Sequence, residues 1–146
     1  MAGLKKVAIT AKLGPKFTME CNIRNHVIRV DQPKTAGGDD MGPTPLEYQL
    51  VALAGCIGAI GRIVANQRRL PLRSMDIQVD GELDVDVLLG KAKEPRSGFT
   101  SIRALVKIDA DMTPDEKREF LHEVDARCPI SDNLARGTTV SVDLLE

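Results

Sequence analysis

The sequence has no excess of charge of either sign. Its 146 residues contain 20 Lys plus Arg and 21 Asp plus Glu, which give a formal net charge of −1 at pH 7. Proteins that bind nucleic acid usually present concentrated positive charge, and this balanced composition provides none. The composition therefore predicts that nucleic acid is not a partner.

Long hydrophobic runs are also missing. The longest stretch of apolar residues and glycines, Leu50 to Gly61, has twelve residues, whereas a membrane-spanning helix needs about 20. The N-terminal residues alternate between apolar and polar and so lack the apolar core of a secretory signal. We therefore expect a cytoplasmic protein without a membrane partner, and the chain length fits a single domain over residues 1–146.

Histidine and cysteine are scarce, with two and three residues. His26 and His122 stand at no zinc-like spacing from the cysteines, so we expect no metal site. Glycine-rich phosphate-binding and Ser-His-Asp patterns are absent as well. An odd number of cysteines in a cytoplasmic chain argues against a disulfide framework and leaves two interpretations, inert buried thiols or redox chemistry.

Three short segments of alternating apolar and polar residues open the chain. They run from Val7 to Leu13, from Phe17 to Ile23 and from His26 to Asp31, with turn signals at Gly14-Pro15 and Arg24-Asn25. This pattern predicts a three-stranded antiparallel meander.

A long apolar helix follows a loop that is rich in glycine and proline. Thr44 and Glu47 form a capping box that predicts its start, and Leu70-Pro71 predicts its end near Arg68 or Arg69. Since the helix is apolar around most of its circumference, we expect it to be buried on nearly all sides.

The rest of the chain reads as two strands, a helix and a strand. The strands are predicted at Met75 to Val87, at Ile102 to Ile108 and at Thr138 to Leu145. A second capping box, Thr113 to Glu116, opens the helix, and Pro129 is expected to end it. The element order predicts an α+β domain in which helices pack on a mainly antiparallel sheet.

Three glycines lie three residues apart in the long helix: Gly55, Gly58 and Gly61. Each costs about 0.5–1 kcal/mol relative to alanine in a helix interior. Either close packing of another backbone or room for a small ligand beside Cys56 offsets that cost, and the sequence favours close packing. A helix so apolar in so small a domain also favours a homodimer, since a second subunit would cover the remaining surface.

The three cysteines differ in their surroundings. Cys21 alternates with apolar residues and is predicted to lie in the core. Cys56 shares a helix face with other apolar residues, which again favours core packing, and only a nearby cation would lower its thiol pKa so far inside a helix. Cys128 ends the second long helix, from where its thiol could meet the middle of the first.

The chain resembles the OsmC/Ohr superfamily of thiol-dependent hydroperoxide reductases. The resemblance is carried by GGDDMGPTPLEYQLVALAGC (Gly37 to Cys56), by RLPL (Arg69 to Leu72) and by ARCPI (Ala126 to Ile130). The predicted element order also agrees over nearly the whole chain. The resemblance implies an OsmC-like fold, in which a mainly antiparallel sheet wraps around a central buried helix, and an intertwined homodimer with active sites at the subunit interface.

The resemblance also implies a chemistry. Cys56 corresponds to the peroxidatic cysteine, whose thiolate attacks an organic hydroperoxide and becomes a sulfenic acid. Cys128 corresponds to the resolving cysteine, which forms a disulfide with it. A dithiol reductant, lipoyl-type in the better studied branch, then reopens the disulfide, and no metal or organic cofactor is required.

Two features of the family's peroxidase branches are altered. Those branches have a glutamate ten residues before the reactive cysteine; here that position is Leu46, and Glu47 stands nine residues before Cys56. Nine steps of 100° put Glu47 on the opposite side of an ideal helix, so its capping role explains it better. The branches also supply an arginine that activates the thiolate, and three cations are candidates for that role: Lys16, Arg29 and Lys34.

Three functions therefore compete. The first is a peroxidase with Cys56, Cys128, Glu47 and Arg29 as candidate catalytic residues, which requires two neighbouring sulfurs and a cation near Cys56. The second is an OsmC-fold protein that binds a small molecule or serves another thiol-redox role without peroxidase activity, which requires only a cavity. The third is a structural dimer with inert thiols, which requires neither.

Overall fold

The computed structural model of the protein describes residues 3–146. The chain divides into two compact units, one that ends at Gln49 and one that begins at Leu50. The fold is α+β with antiparallel sheets, as predicted. Its elements are β1 (Thr10–Leu13), β2 (Met19–Ile23), β3 (His26–Val30), α1 (Pro45–Arg68), β4 (Leu72–Leu83), α2 (Val85–Leu88), β5 (Phe99–Ala110), α3 (Pro114–Arg127) and α4 (Pro129–Arg136).

The first unit contains the predicted three-stranded meander. β2 is the central strand and pairs antiparallel with β1 and β3. Cys21 lies opposite Ile28 and is buried, which confirms its predicted place in the core. The first strand is shorter than predicted and begins at Thr10 instead of Val7, because Thr10 already pairs with Asn22 next to the turn that ends β2.

The loop between β3 and α1 is organised around one buried carboxylate. Asp31 is 1% exposed. It accepts hydrogen bonds from the Thr18 hydroxyl at 2.8 Å and from the backbone N–H groups of Gln32, Asp39 and Met41 at 2.8, 3.3 and 3.1 Å. A single side chain thus satisfies backbone donors from both ends of the loop.

Two glycines of this loop are required by close backbone contacts. A Cβ at Gly38 would lie 1.9 Å from the carbonyl oxygen of Gln32, and one at Gly42 would lie 2.2 Å from that of Arg29. No side chain fits at such distances. The glycine-rich segment before α1 is therefore a folded structure with a defined path.

The predicted start and end of α1 are confirmed. The Thr44 N–H donates to Glu47 Oε2 at 2.7 Å, and the Glu47 N–H donates to Thr44 Oγ1 at 3.3 Å. These two bonds are the reciprocal bonds of a capping box. The helix ends at Arg68, and Arg69 follows in the left-handed conformation with φ 53°.

The second unit packs residues of α1 and α3 with the two-stranded sheet of β4 and β5. The two strands pair antiparallel from Leu72 opposite Ala110 to Leu83 opposite Phe99. The core of this unit consists of buried residues from all four elements and from the α3–α4 junction: Leu53, Ile57, Val64, Ala65, Leu72, Ile108, Ala110, Phe120, Val124 and Cys128.

Within this chain α1 is buried on one side only, so the expectation of burial on nearly all sides is wrong for the single chain. Leu53, Ile57 and Val64 are buried, whereas Val51 and Ile63 are 60% and 42% exposed. By length and apolar composition α1 could cross a membrane, but the core helix of a soluble protein meets the same criteria. Nothing else in residues 3–146 points to a membrane.

The strand predicted over Met75 to Val87 ends earlier than expected. β4 stops at Leu83, and the next residues form the short helix α2. The Asp84 side chain caps this helix by accepting the N–H of Asp86 at 2.9 Å. Val85 and Val87 are therefore helical, because a local side-chain cap competes with continued strand pairing.

The predicted strand from Thr138 to Leu145 does not form within this chain. The segment has no partner strand among the described residues, and Val140, Val142 and Leu144 are 80%, 94% and 86% exposed. Alternation is a property of the sequence, whereas a strand also requires a neighbour that bonds to its backbone.

Candidate active site: the Cys56–Cys128 thiol pair

The second unit brings two of its cysteines together. Cys128 Sγ lies 2.8 Å from Cys56 Sγ, although the residues are 72 positions apart in sequence. Both thiols are free. Cys56 is half-buried in the middle of α1, and Cys128 is 1% exposed at the junction of α3 and α4.

The position of Cys128 follows from the proline after it. α3 begins with the predicted capping box of Thr113 and Glu116 and buries Phe120 and Val124. Cys128 has extended backbone angles, φ −80° and ψ 110°, because a residue before proline is disfavoured in the helical conformation.

Pro129 ends one helix and begins another, which corrects the expectation that it only terminates α3. α4 starts at Pro129, and proline suits a first helical position since its missing N–H would have no partner there. Cys128 therefore closes α3 and serves as the N-cap of α4. The sulfur is fixed between two helices.

The N-terminus of α4 faces the two sulfurs. The Ser131 N–H donates to Cys128 Sγ at 3.4 Å. The Ser131 hydroxyl donates to Asp125 Oδ1 at 2.6 Å and so ties the first turn of α4 to the last turn of α3. The Ile130 N–H lies near enough to the Cys56 sulfur to lower the pKa of its thiol, without forming a hydrogen bond of the length seen at Cys128. Backbone N–H groups thus approach both thiols.

The electrostatic surroundings of Cys56 act in opposing directions. Burial raises the pKa of the Cys56 thiol, and the neighbouring Cys128 side chain raises it further. The Ile130 N–H lowers the pKa, but its effect is smaller. In the single chain the Cys56 thiol is therefore held mainly in its protonated form at neutral pH.

Glu47 lies in the first unit, where its carboxylate is occupied by the helix start. Glu47 Oε2 accepts the backbone N–H of Thr44 and, at 3.0 Å, the Thr44 hydroxyl. Those two bonds hold the pKa of Glu47 below its usual value. Glu47 is thus an ionised helix cap.

The candidate cations also lie in the first unit and differ in what they contact. Lys16 forms an ion pair with Asp39 at 2.7 Å. Arg29 is exposed and forms no ion pair with any residue of the described chain, Glu47 included. Its backbone carbonyl accepts the Tyr48 hydroxyl at 2.8 Å, which fixes the strand at that point. Lys34 is likewise exposed and forms no ion pair within residues 3–146, so Lys16 alone of the three candidates has its charge engaged.

The two sulfurs are close enough for redox chemistry. A disulfide has an S–S distance of about 2.05 Å, so a movement of less than about 1 Å separates the observed pair from a bond. Within residues 3–146, no three His, Cys, Asp or Glu side chains form a group that could hold a metal ion.

The sequence interpretation missed the contribution of α4. Ile130 and Ser131 act through backbone N–H groups, which every residue has, so their identity carries no signal. The dipeptide Cys128-Pro129 does carry one, because proline at a first helical position predicts a helix start as well as a helix end.

Comparisons with known proteins agree with the fold and the sequence motifs. The chain is similar to the OsmC-like protein from Mycoplasma pneumoniae, with 26% identity over 89% of this chain and 87% of that chain and a TM-score of 0.77. It shares its fold with the organic hydroperoxide resistance protein OsmC from Legionella pneumophila, with 18% identity over 92% of each chain and a TM-score of 0.69. An organic hydroperoxide resistance protein from Elizabethkingia anophelis has the same fold, with 17% identity over 92% of this chain and 91% of that chain and a TM-score of 0.67.

No curated protein matches the chain. The sequence profile of the OsmC-like protein family matches residues 37–143, which include the later part of the glycine-rich loop, α1, both strands of the second unit and the α3–α4 junction. That match and the solved relatives confirm the resemblance seen in the sequence: the chain belongs to the OsmC-like protein family.

Proposed function

We propose that this protein is a thiol-dependent peroxidase that reduces organic hydroperoxides through Cys56 and Cys128. The observation that carries the proposal is the 2.8 Å separation of the two sulfurs, one half-buried and one fully buried. A pair of inert core thiols has no need of such an approach, whereas a two-cysteine cycle requires it.

In the first step the Cys56 thiolate attacks the terminal oxygen of the hydroperoxide. The O–O bond breaks, the alcohol leaves after taking up a proton, and Cys56 becomes a sulfenic acid. The relatives from Legionella pneumophila and Elizabethkingia anophelis are organic hydroperoxide resistance proteins, which supports this substrate class.

In the second step Cys128 attacks the sulfenic sulfur of Cys56. A disulfide forms and the hydroxyl group leaves as water. A dithiol, of the lipoyl type or another, then reduces the disulfide to two thiols and is itself oxidised to a disulfide. Neither step needs a metal or an organic cofactor.

Activation of Cys56 requires positive charge, because burial and Cys128 together raise the pKa of its thiol. The family resemblance makes Arg29 our candidate for this role; Arg29 is exposed and forms no ion pair within the described chain, and Lys34, which shares both properties, is the alternative. Glu47 acts first as the cap of α1, and any catalytic part would come in addition to its bonds with Thr44.

We further propose a homodimer in which the exposed face of α1 is covered by a second copy. Val51 and Ile63 are large apolar residues on this face, and Ala52, Gly55 and Ala59 are exposed beside them. The apolar residues of the unpaired segment 138–145 offer a further surface to that copy. Each subunit would then be one OsmC-like domain over residues 1–146 in a cytoplasmic protein. The family match supports the single domain, since it covers residues 37–49 of the first unit and 50–143 of the second.

The dimer is tested by sedimentation velocity. We expect the wild-type chain to sediment as a dimer and Ile63→Asp to sediment as a monomer, because the substitution places a charge in the apolar interface. Wild-type protein that sediments only as a monomer at all concentrations contradicts the dimer.

The peroxidase is tested by one stoichiometric dose of cumene hydroperoxide followed by mass spectrometry of peptides. Wild-type protein should form the Cys56–Cys128 disulfide. Cys128→Ser should consume that one equivalent and stop at the Cys56 sulfenic acid, which a second equivalent should over-oxidise, while Cys56→Ser should consume no hydroperoxide. Equal consumption by the wild type and Cys56→Ser would end the peroxidase proposal.

A second candidate is an OsmC-fold protein that binds a small molecule or serves another thiol-redox role. The raised pKa of Cys56 favours it, because an unactivated thiol reacts slowly with peroxides. It predicts that wild-type protein forms the disulfide with a thiol oxidant but leaves cumene hydroperoxide unconsumed.

A further inference from the structure

The two sulfurs of the pair differ in access and in their hydrogen-bond donors. Cys128 Sγ is closed off from solvent, since the residue is 1% exposed, whereas Cys56 is half-buried. Cys128 is also the N-cap of α4 and accepts the Ser131 N–H at 3.4 Å. In the single chain Cys56 is partly open to solvent, whereas the sulfur of Cys128 lies at the positive end of a helix.

These differences bear on how a disulfide between them is opened. A reducing thiolate attacks one sulfur, and the other leaves with the electron pair of the broken S–S bond. Attack requires access to the first sulfur, and departure is faster when the second is stabilised as a thiolate. A backbone N–H aimed at the departing sulfur provides that stabilisation, because hydrogen bonds to charged acceptors are stronger than those to neutral ones.

We propose that the reductant attacks Cys56 Sγ and that Cys128 leaves as a thiolate held by the Ser131 N–H at the α4 N-terminus. The inference rests on the proposed two-cysteine cycle and assigns the direction of its reductive half. It makes Cys56 the site of the mixed disulfide and the Ser131 amide a catalytic group that contacts a reacting sulfur.

The full step balances with a dithiol. One thiolate of the reductant bonds to Cys56 Sγ, the Cys56–Cys128 bond breaks, and the electron pair goes to Cys128 Sγ. The second thiol of the reductant loses its proton to Cys128. The resulting thiolate attacks the reductant sulfur that is bonded to Cys56. Cys56 leaves with the electron pair, and the reductant departs as a cyclic disulfide.

The Ser131 hydroxyl and the Ser131 amide have different roles. It donates to Asp125 Oδ1 across the α3–α4 junction and does not contact either sulfur in the hydrogen-bond pattern. The two groups of one residue can therefore be tested separately.

The first experiment locates the mixed disulfide. Wild-type protein is oxidised with diamide, which forms the disulfide without hydroperoxide chemistry, and is then exposed briefly to 2-mercaptoethanol. After an acid quench and alkylation with N-ethylmaleimide at low pH, peptide mass spectrometry should find mercaptoethanol on Cys56 and maleimide on Cys128. Mercaptoethanol on Cys128, equal labelling of both sulfurs, or failure of diamide to form the disulfide overturns the proposal.

The second experiment removes the donor. Residues 1–127 are joined to a synthetic peptide of residues 128–146 through Cys128, with the Ser131 amide replaced by an ester that lacks the N–H. We expect the diamide-oxidised ester protein to be opened by dithiothreitol about five- to tenfold more slowly than the all-amide protein assembled in the same way.

A matched variant controls for helix stability. An ester at Asp132 removes the N–H that bonds the Cys128 carbonyl at 3.0 Å but leaves the Ser131 N–H on Cys128 Sγ in place. It should open within about twofold of the reference, since it loses no donor to sulfur. An equal slowing by the two esters, or none by the Ser131 ester, contradicts the assignment. Neither experiment uses a hydroperoxide, so a protein without peroxidase activity can still show the predicted direction of disulfide reduction.

Discussion

Gly61 and Gly55 lie on the same helix, yet their surroundings are opposite. A Cβ at Gly61 would lie 2.7 Å from Met75 Sδ and 3.5 Å from Phe120 Cζ, whereas a Cβ at Gly55 would have nothing within 4 Å. The first glycine is crowded by neighbours in its own chain, the nearest being the end of the Met75 side chain. The second has no such neighbour among residues 3–146, and the proposed second subunit would account for it.

The same contrast extends along the two faces of α1. The face around Gly61 is closed by β4 and α3 and carries the buried residues of the helix. The face around Gly55 carries exposed apolar residues and belongs to the surface on which we propose the second subunit. Equal spacing of glycines in a sequence can therefore result from two different packing requirements.

The largest expected effect comes from removing a buried side chain that packs on the face of α1 covered by β4 and α3. Phe120→Ala should lower the free energy of unfolding by about 3–5 kcal/mol, since it leaves a cavity beside Gly61. Urea denaturation measures the loss. Val51→Ala on the open face is the control, and in the monomeric Ile63→Asp background it should cost less than about 1 kcal/mol because Val51 is 60% exposed. Similar losses for the two variants would contradict the difference between the faces.

A smaller effect is expected from adding a side chain at Gly61, on the face of α1 that β4 and α3 cover. Gly61→Val should cost about 1–3 kcal/mol, because the added atoms meet the end of the Met75 side chain. Met75→Ala should recover part of that cost, which a double-mutant cycle would measure as a favourable coupling. Gly58→Val is the matched control, since its nearest neighbour is Ile77 Cδ1 at 3.8 Å. If Gly58→Val is as costly as Gly61→Val, the cost arises from helix propensity and not from packing.

The smallest effect is expected at Gly55, where an added Cβ would have no neighbour within 4 Å. In the Ile63→Asp background, which should be monomeric, Gly55→Ala should raise the free energy of unfolding by about 0.5–1 kcal/mol through helix propensity alone. In the wild-type background the same change should weaken the dimer if a second backbone packs closely there. Destabilisation in the monomeric background would mean that the chain itself fills the space beside Gly55.

Local signals in the sequence predicted the fold well. The capping boxes at Thr44 and Thr113 set the starts of α1 and α3, since each depends on residues three apart. The strand from Thr138 to Leu145 failed because a strand needs a partner, and α2 was missed because the single cap of Asp84 interrupts an alternating pattern.

The candidate site could be predicted only in outline. The helix position of Cys56 favoured core packing, and the family resemblance alone marked it and Cys128 as reactive. Their approach depends on how α1 packs with the α3–α4 junction. The donors from Ile130 and Ser131 are backbone groups placed by the turn at Pro129, and no residue type identifies them. The roles of Glu47 and Arg29 remain predictions.

Asp31 gives the glycine-rich loop a sensitivity to acid. Burial alone would raise the pKa of this carboxyl, but the N–H groups of Gln32, Met41 and Asp39 and the Thr18 hydroxyl outweigh it and lower the pKa below its usual 3.8. A carboxyl with a lowered folded-state pKa contributes stability that is present above its unfolded value and lost as the pH falls through the folded one. The segment that leads into α1 should therefore loosen only well into the acidic range, and as a unit, since one proton neutralises the carboxylate to which the Gln32, Asp39 and Met41 N–H groups all donate and weakens those bonds together.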